Sequence, residues 1–316
     1  MAEFDLIERI RARAGSRADV ALGIGDDAAL LAPPPGLQLA LAMDTLNAGV
    51  HFPAGTAPAD VGWKALAVNL SDLAAMGADP AWCTLSLSLP DDAPAFIDRF
   101  LDGFLALAAA HAVALVGGDT TRGPLSVCVA AHGFVEPAAA LRRAGAGLGD
   151  DVWASGTLGD AAGALAQWQA GGDRDPRLRA RLDRPQPRLA LGQALRGVAS
   201  ACIDVSDGLL ADLGHLCAAS GVGAEVEIDA LPASAALRAA FDGDARRALQ
   251  AAGGDDYELC FTAPASARAA VLAAADSVAT QVTRVGRIEA QPGLRLVDAA
   301  GRPLDLAWTS FDHFAA

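Results

Sequence analysis

Apolar positions recur along this chain with two periods, and the alternation between them lays out its elements. Phe4, Ile7 and Ile10 sit at helical spacing over residues 3–14 and stop at Gly15. The turn Pro33-Pro34-Pro35-Gly36 fixes the start of a strand over 37–43. Residues 58–76 have the spacing of a helix, and 82–89 alternate Cys83, Leu85, Leu87 and Leu89 as a strand does. A long helix is predicted over 92–111, then short strands at 113–116 and 125–135. The second half predicts strands near 151–155, 200–204, 224–229, 257–262, 281–288 and 294–298. Its helices fall near 160–170, 187–197, 208–219, 234–250 and 265–275. Residues 167–188, rich in Arg, Asp, Gly and Pro, predict a solvated surface loop rather than a site. No short-period repeat is present.

Strands and helices interleave in both halves, which implies α/β or α+β domains. The Gly/Ala/Arg stretch from Arg142 to Gly149 reads as a hinge, so two domains are expected, residues 1–140 and 141–316.

Charge and composition narrow the function. The chain has 316 residues, 53% of them hydrophobic, and a net charge of −14. Such acidity argues against nucleic acid or an anionic membrane surface as the main partner. Lys64 is the only lysine and stands in Gly62-Trp63-Lys64-Ala65, which is not a Gly-Lys-Ser/Thr phosphate loop. The protein-kinase signatures Val-Ala-Ile-Lys and His-Arg-Asp are missing too. Cys83, Cys128, Cys202, Cys217 and Cys260 are scattered with no Cys-x-x-Cys pair, as expected of core thiols in a reducing cytosol. No apolar run reaches the roughly 18 residues of a membrane span. A cytoplasmic protein is expected.

The aspartates carry the chemical signal, because they fall in glycine-rich turns beside predicted strands. These turns are Gly23-Ile24-Gly25-Asp26-Asp27, Asp44 at a strand end, Gly117-Gly118-Asp119-Thr120-Thr121, Asp204-Val205-Ser206-Asp207-Gly208 and Gly253-Gly254-Asp255-Asp256. Any one of them alone reads as a turn or a helix cap. Asp72 differs, since it lies in the most apolar helix of the first half with no basic residue after Lys64. A buried, unpaired carboxylate there would cost several kcal/mol, so a cation from outside the chain is the economical partner. Several carboxylates with no His/Cys spacing suit Mg²⁺ or Mn²⁺ rather than zinc. His111, His132 and His215 read as structural, whereas His51 follows a loop and is the histidine considered for ligand contact.

Together with Lys64-Ala65-Leu66-Ala67-Val68-Asn69-Leu70-Ser71-Asp72, Gly254-Asp255-Asp256-Tyr257-Glu258-Leu259 and the ending Phe311-Asp312-His313-Phe314, these motifs resemble the bacterial thiamine-monophosphate kinases from about Phe4 onward. Looser forms of some are shared with aminoimidazole-ribonucleotide synthetase and selenophosphate synthetase. The resemblance implies an N-terminal mixed sheet with helices that forms a barrel-like dimer core, and a C-terminal α/β domain. It further implies a homodimer that converts ATP and thiamine phosphate to ADP and thiamine diphosphate. By the same resemblance Asp27, Asp44, Asp72, Asp119, Asp204 and Asp207 would bind several Mg²⁺ ions. Gly118, Asp119, Arg143 and Ser206 would contact ATP, and His51, Asp255 and Phe311 would contact thiamine phosphate. Where the family carries hydroxyl residues before the aspartate matching Asp44, this chain has Ala42-Met43, which offer only backbone carbonyls. The family position matching Asp255 is often Glu.

Direct in-line transfer is expected, with no dedicated catalytic base and no phospho-enzyme, because the acceptor phosphate is already largely ionised at neutral pH. Two alternatives stay open from the residues: a sister enzyme of the same fold phosphorylating another small acceptor, and a non-catalytic metal- or ligand-binding module.

Overall fold

The computed structural model describes residues 3–90, 94–172 and 175–305. The chain divides into two compact units, Met1–Leu73 with Ala78–Ala138, and Ala74–Gly77 with Ala139–Ala316.

The first unit begins with α1 (Glu3–Arg13) and a small antiparallel pair, β1 (Val20–Leu22) and β2 (Leu30–Leu31). Then come β3 (Gln38–Asn47), α2 (Pro58–Ala75), β4 (Asp79–Leu89), α3 (Pro94–Ala110), β5 (Ala114–Arg122) and β6 (Ser126–Val135). The four long strands form one mixed sheet in the order β3-β6-β4-β5, with β4 and β5 parallel. Ile97, Phe100, Leu101 and Phe104 of α3 and Leu66, Leu70 and Leu73 of α2 are buried, each set repeating at three or four residues. Gly62 and Gly103 let α2 and α3 approach closely, since a Cβ on Gly103 would collide with Ala59 O.

Two strands run further than the pattern predicted. β3 continues through Asp44 to Asn47, and β5 continues through Gly117-Gly118-Asp119-Thr120-Thr121, so neither aspartate lies in a loop after a strand. The reason is pairing. Asp44 is opposite Val129, and Gly118 is opposite Leu85, in unbroken stretches of ladder. The sheet stays open, with β3 and β5 at its edges, and no barrel closes among the described residues of one chain.

The second unit contains β7 (Asp151–Ser155), α4 (Asp160–Gln169), α5 (Pro176–Asp183), α6 (Leu189–Ala194), β8 (Ala201–Val205), α7 (Leu209–Ser220) and β9 (Gly223–Glu227). It continues with α8 (Ala235–Ala240), α9 (Gly243–Ala252), β10 (Glu258–Ala263), α10 (Arg268–Ser277), β11 (Val282–Glu289) and β12 (Gly293–Val297). The sheet order is β12-β9-β11-β7-β10-β8, antiparallel except for β12 beside β9. Every residue of β7, β8 and β10 is buried, so helices or loops cover both faces there. On one face Val152, Ala154, Ile203, Val205 and Cys260 pack with Leu209, Leu213 and Leu216 of α7. On the other, Trp153 stacks on Phe261 with ring centres 6.3 Å apart.

Two expectations in this unit are corrected. Residues 167–188 are not a continuous loop, because they contain α5. Asp175 caps this helix by accepting the Arg177 N–H, Pro176 opens it, and Leu178 and Leu182 are buried four residues apart. The helix expected over 234–250 is two helices, since Phe241 is extended and Gly243 has φ +47°. All five cysteines are unpaired thiols, four of them buried and Cys128 half-buried. Among the described residues no helix is long and apolar enough to cross a membrane.

Candidate active site

In the first unit, the Gly23–Ala29 turn, α1, and the facing parts of β4 and β5 enclose a cleft of about 650 Å³. Asp26, Asp27, Gly118 and Asp119 line it and are exposed. Gly118 is required there, because its φ is +152° and a Cβ would strike the Leu85 backbone. Asp26 Oδ1 accepts the Asp27 N–H at 2.8 Å, and Asp119 Oδ1 accepts the Thr120 N–H at 2.9 Å, which stiffens both carboxylates.

Asp44 and Asp72 belong to elements joined at one buried residue. Asn69 of α2 accepts the Asp44 N–H at 3.0 Å and donates its Nδ2 to Ala65 O at 3.1 Å. Asp72 follows Asn69 by three residues and so shares its helix face. Along β3 the half-buried face carries Ala40, Ala42 and Asp44, while Leu39, Leu41 and Met43 point the other way into solvent. Burial pushes the Asp44 carboxyl pKa up. Asp72 is half-buried and engages other groups of the chain, so the expected partnerless carboxylate in a dry helix is not what the fold presents.

Lys64 has a structural task that its sequence context did not reveal. It is buried and donates Nζ to His51 O at 3.0 Å. His51 Nδ1 accepts the Asn47 N–H at 2.9 Å, so the neutral ring carries its proton on Nε2. His51 is thus held from both sides in the turn after β3.

In the second unit, Asp204, Ser206, Asp207 and Asp255 come together where two turns stack. Asp255 N–H donates to Ser206 O and Tyr257 N–H to Val205 O, both at 2.8 Å. Gly254 is required at this contact, since a Cβ there would lie 2.6 Å from Ser206 O. Beneath the turn, Asp212 of α7 accepts the N–H groups of Ser206 at 3.0 Å and Asp207 at 3.1 Å. Its carboxyl pKa is pushed up to about 7, first by burial and then by the charges of Asp204 and Asp207, against the pull of those two N–H groups. The sequence held a faint signal for Asp212, an acid in the first turn of an apolar helix.

Asp256 is buried, and both its oxygens receive the Gly159 N–H, which anchors the start of α4. Burial holds its pKa well above the ordinary carboxylate value. Next to it Glu258, with no exposure, accepts from Ser155 Oγ, Arg181 and Arg188. Arg143 is exposed, and its carbonyl accepts from Ser220 Oγ at 3.0 Å. Ser220 closes α7, so this anchor lies about 18 Å along the helix from the Ser206–Asp207 turn. Phe311 lies outside the described residues.

Four of the six aspartates expected to hold metal therefore belong to the first unit and two to the second. Among the described residues, no three His, Cys, Asp or Glu side chains gather closely enough to form a metal centre by themselves. The donor set still fits a hard divalent ion. It is made of carboxylate oxygens, and Asp27, Asp44, Asp119 and Asp207 form no ion pair with described residues. The carboxylates of Asp204 and Asp207 bear on Asp212 as like charges.

Residues 25–135 match the family described as AIR synthase related protein, N-terminal domain, and 147–299 match its C-terminal domain. The chain is 48% identical to thiamine-monophosphate kinase of Salmonella typhimurium strain LT2 over 321 aligned positions, covering 99% of this chain and 98% of that one. The crystal structure of thiamine-monophosphate kinase from Stenotrophomonas maltophilia K279a superposes with a TM-score of 0.89 at 57% identity, over 94% of this chain and 96% of that chain. A structure of AaThiL complexed with AMPPCP and TMP superposes with a TM-score of 0.79 at 32% identity, over 89% of each chain.

Proposed function

Because this chain belongs to the AIR-synthase-related family, on the branch of the thiamine-monophosphate kinases, we propose that it transfers the γ-phosphoryl group of ATP to thiamine phosphate, giving ADP and thiamine diphosphate. One observation carries this assignment: the likeness to these kinases, at 48% identity, spans 99% of the chain.

Donor and acceptor are both anions, and the one lysine of the chain is buried against His51 O, so it cannot screen them. Asp27, Asp44, Asp72, Asp119, Asp204 and Asp207 would hold several Mg²⁺ ions, which when bound supply charge neutralisation between the two phosphates. Gly118 brings bare backbone to the wall of the acidic cleft, where ATP phosphates would lie, with Asp119, Ser206 and Arg143 as further contacts. His51 and Asp255 would hold thiamine phosphate, His51 as an Nε2 donor and Asp255 as an acceptor. No side chain is needed as a general base, since the acceptor phosphate has a second pKa of about 6. Transfer then depends on alignment.

The assembly proposed is a homodimer. Leu39, Leu41 and Met43 are 53%, 61% and 64% exposed on one face of the edge strand β3, an apolar stripe that a second copy would cover. Residues 1–140 would then carry the dimer contact together with Asp27, Asp44, Asp72 and Asp119, and residues 141–316 would carry Asp204 and Asp207. A cytoplasmic location accords with the five unpaired thiols and the use of ATP.

The test is ADP release from ATP with thiamine phosphate as acceptor, with and without Mg²⁺. Turnover should need both the metal and the acceptor, stop in excess EDTA, and be far slower with unphosphorylated thiamine. Equal turnover with thiamine, or turnover in EDTA, would overturn the mechanism. ADP release only with other phosphorylated acceptors would point to a sister activity of the fold.

A further inference from the structure

The segment Gly254-Asp255-Asp256-Tyr257 takes a costly backbone shape. Asp255 has φ +69° and Tyr257 φ +49°, so two residues with side chains occupy the left-handed region on either side of Asp256. Such conformations persist only where the surroundings over-determine them, and they gather at ligand sites. Here the Asp255 and Tyr257 N–H groups are tied to Ser206 O and Val205 O, and the intervening Asp256 side chain is buried on the Gly159 N–H. This shape sets the phenol of Tyr257 beside the carboxylate two residues back, and its hydroxyl donates to Asp255 Oδ1 at 3.0 Å.

Tyr257 is the only tyrosine in the chain, against ten phenylalanines. Its ring is buried, and phenylalanine would fill the same space. The hydroxyl adds one thing that the packing does not need: a fixed direction for the Asp255 carboxylate.

We propose that Tyr257 is a positioning residue for substrate selection, its hydroxyl orienting Asp255 toward a hydrogen-bond donor on the heteroaromatic part of the phosphate acceptor. This rests on the assignment of Asp255 to thiamine phosphate. Asp255 is half-buried, and the Tyr257 hydroxyl narrows the rotamers open to its carboxylate. A carboxylate held by a phenol meets an amino-bearing ring without paying that ordering cost at binding. The effect should fall on acceptor recognition and leave ATP nearly untouched, because the proposed ATP contact Ser206 meets this turn through its backbone carbonyl and the Asp255 N–H, which Tyr257→Phe keeps.

The experiment compares Tyr257→Phe, Asp255→Asn and the double variant in steady-state kinetics with Mg²⁺, varying thiamine phosphate and ATP separately. Tyr257→Phe should raise KM for thiamine phosphate about 10-fold, as expected for a lost hydrogen bond to a charged group, with a change below about twofold in KM for ATP. The double variant should be no worse than Asp255→Asn, because the proposed effect of the hydroxyl on the acceptor runs through that carboxylate. Thermal shift with thiamine phosphate alone reports the same loss without turnover, and melting of the free variants shows that each folds.

If Asp255→Asn raises KM for thiamine phosphate and Tyr257→Phe does not, the proposal fails while the substrate assignment stands. Were Asp255→Asn itself without effect on that KM, the substrate assignment of Asp255 would fall and the proposal with it. Equal rises in both KM values would show that Tyr257 merely shapes the 253–257 turn, which also overturns the proposal.

Discussion

Arg188 grips Glu258 with two nitrogens, Nε to Oε2 at 2.6 Å and Nη2 to Oε1 at 2.5 Å, around a carboxylate that has no contact with solvent. Arg181 Nη2 and Ser155 Oγ complete the shell at 2.6 Å each. Glu258 opens β10 immediately after the Asp255–Tyr257 turn, so this shell anchors the end of that turn to α5 and to the residue before α6.

Replacing Arg188 by Met should leave Glu258 charged, buried and half-satisfied. A loss of about 3–5 kcal/mol is expected in urea unfolding. Adding Glu258→Gln should recover part of it, because the stranded charge is then gone. A single Arg188→Met variant as stable as the parent would mean that Arg181 alone balances the carboxylate.

Asp212 supports the Ser206–Asp207 turn through two backbone N–H groups. Asp212→Ala strands both donors and should cost about 2–4 kcal/mol, together with a raised KM for ATP. Asp212→Asn keeps an acceptor oxygen and should retain most of the stability. Melting curves and ATP kinetics on the two variants check this, and matched losses in both would show that charge rather than acceptance matters.

The apolar stripe on β3 predicts the assembly state. Leu41→Glu with Met43→Glu should convert a dimer to a monomer in sedimentation or light scattering, because both side chains are already in solvent in the single chain and their replacement leaves its core intact. A parent protein that is monomeric at high concentration would remove the reason for the stripe.

The acid limb of stability should involve Asp19. Arg17 pairs with it through Nε and Nη2, both at 2.9 Å, and Trp82 Nε1 donates at 3.1 Å. These contacts, the Arg17 hydrogen bonds foremost, hold its carboxyl pKa below the ordinary value of 3.8. A depressed folded pKa means the unfolded chain takes up its proton first as the pH falls. The stabilisation is therefore complete above the unfolded value of about 3.9 and drains away below it. Asp19→Asn should lower stability at pH 7 and flatten the decline below about pH 4 in urea titrations. An unchanged slope would assign the acid limb to other carboxylates.

Much of this was legible in the residues alone. Alternation through Cys83, Leu85, Leu87 and Leu89 marks β4, and the buried repeat of Leu66, Leu70 and Leu73 marks α2, because one-sided burial imposes a period on the chain. The aspartate turns were equally visible, since each motif lies within a few consecutive residues. Where local cues misled, a partner remote in sequence had decided the outcome. Gly117-Gly118 has the composition of a turn, yet the ladder with β4 keeps it in a strand. The Arg- and Asp-rich stretch after residue 167 hides α5, whose two buried leucines are too few to stand out.

What the sequence determined by itself is the inventory: most of the strands and helices in their order, the acidic turns, the scarcity of lysine, and the family that those motifs announce. Tertiary structure decided how that inventory is held. Lys64 is tied to His51 across 13 residues, Asn69 to Asp44 across 25, and Arg188 to Glu258 across 70. None of these pairs leaves a periodic or local trace, because a hydrogen bond requires only that two atoms meet, and the folded packing alone determines which distant residues do.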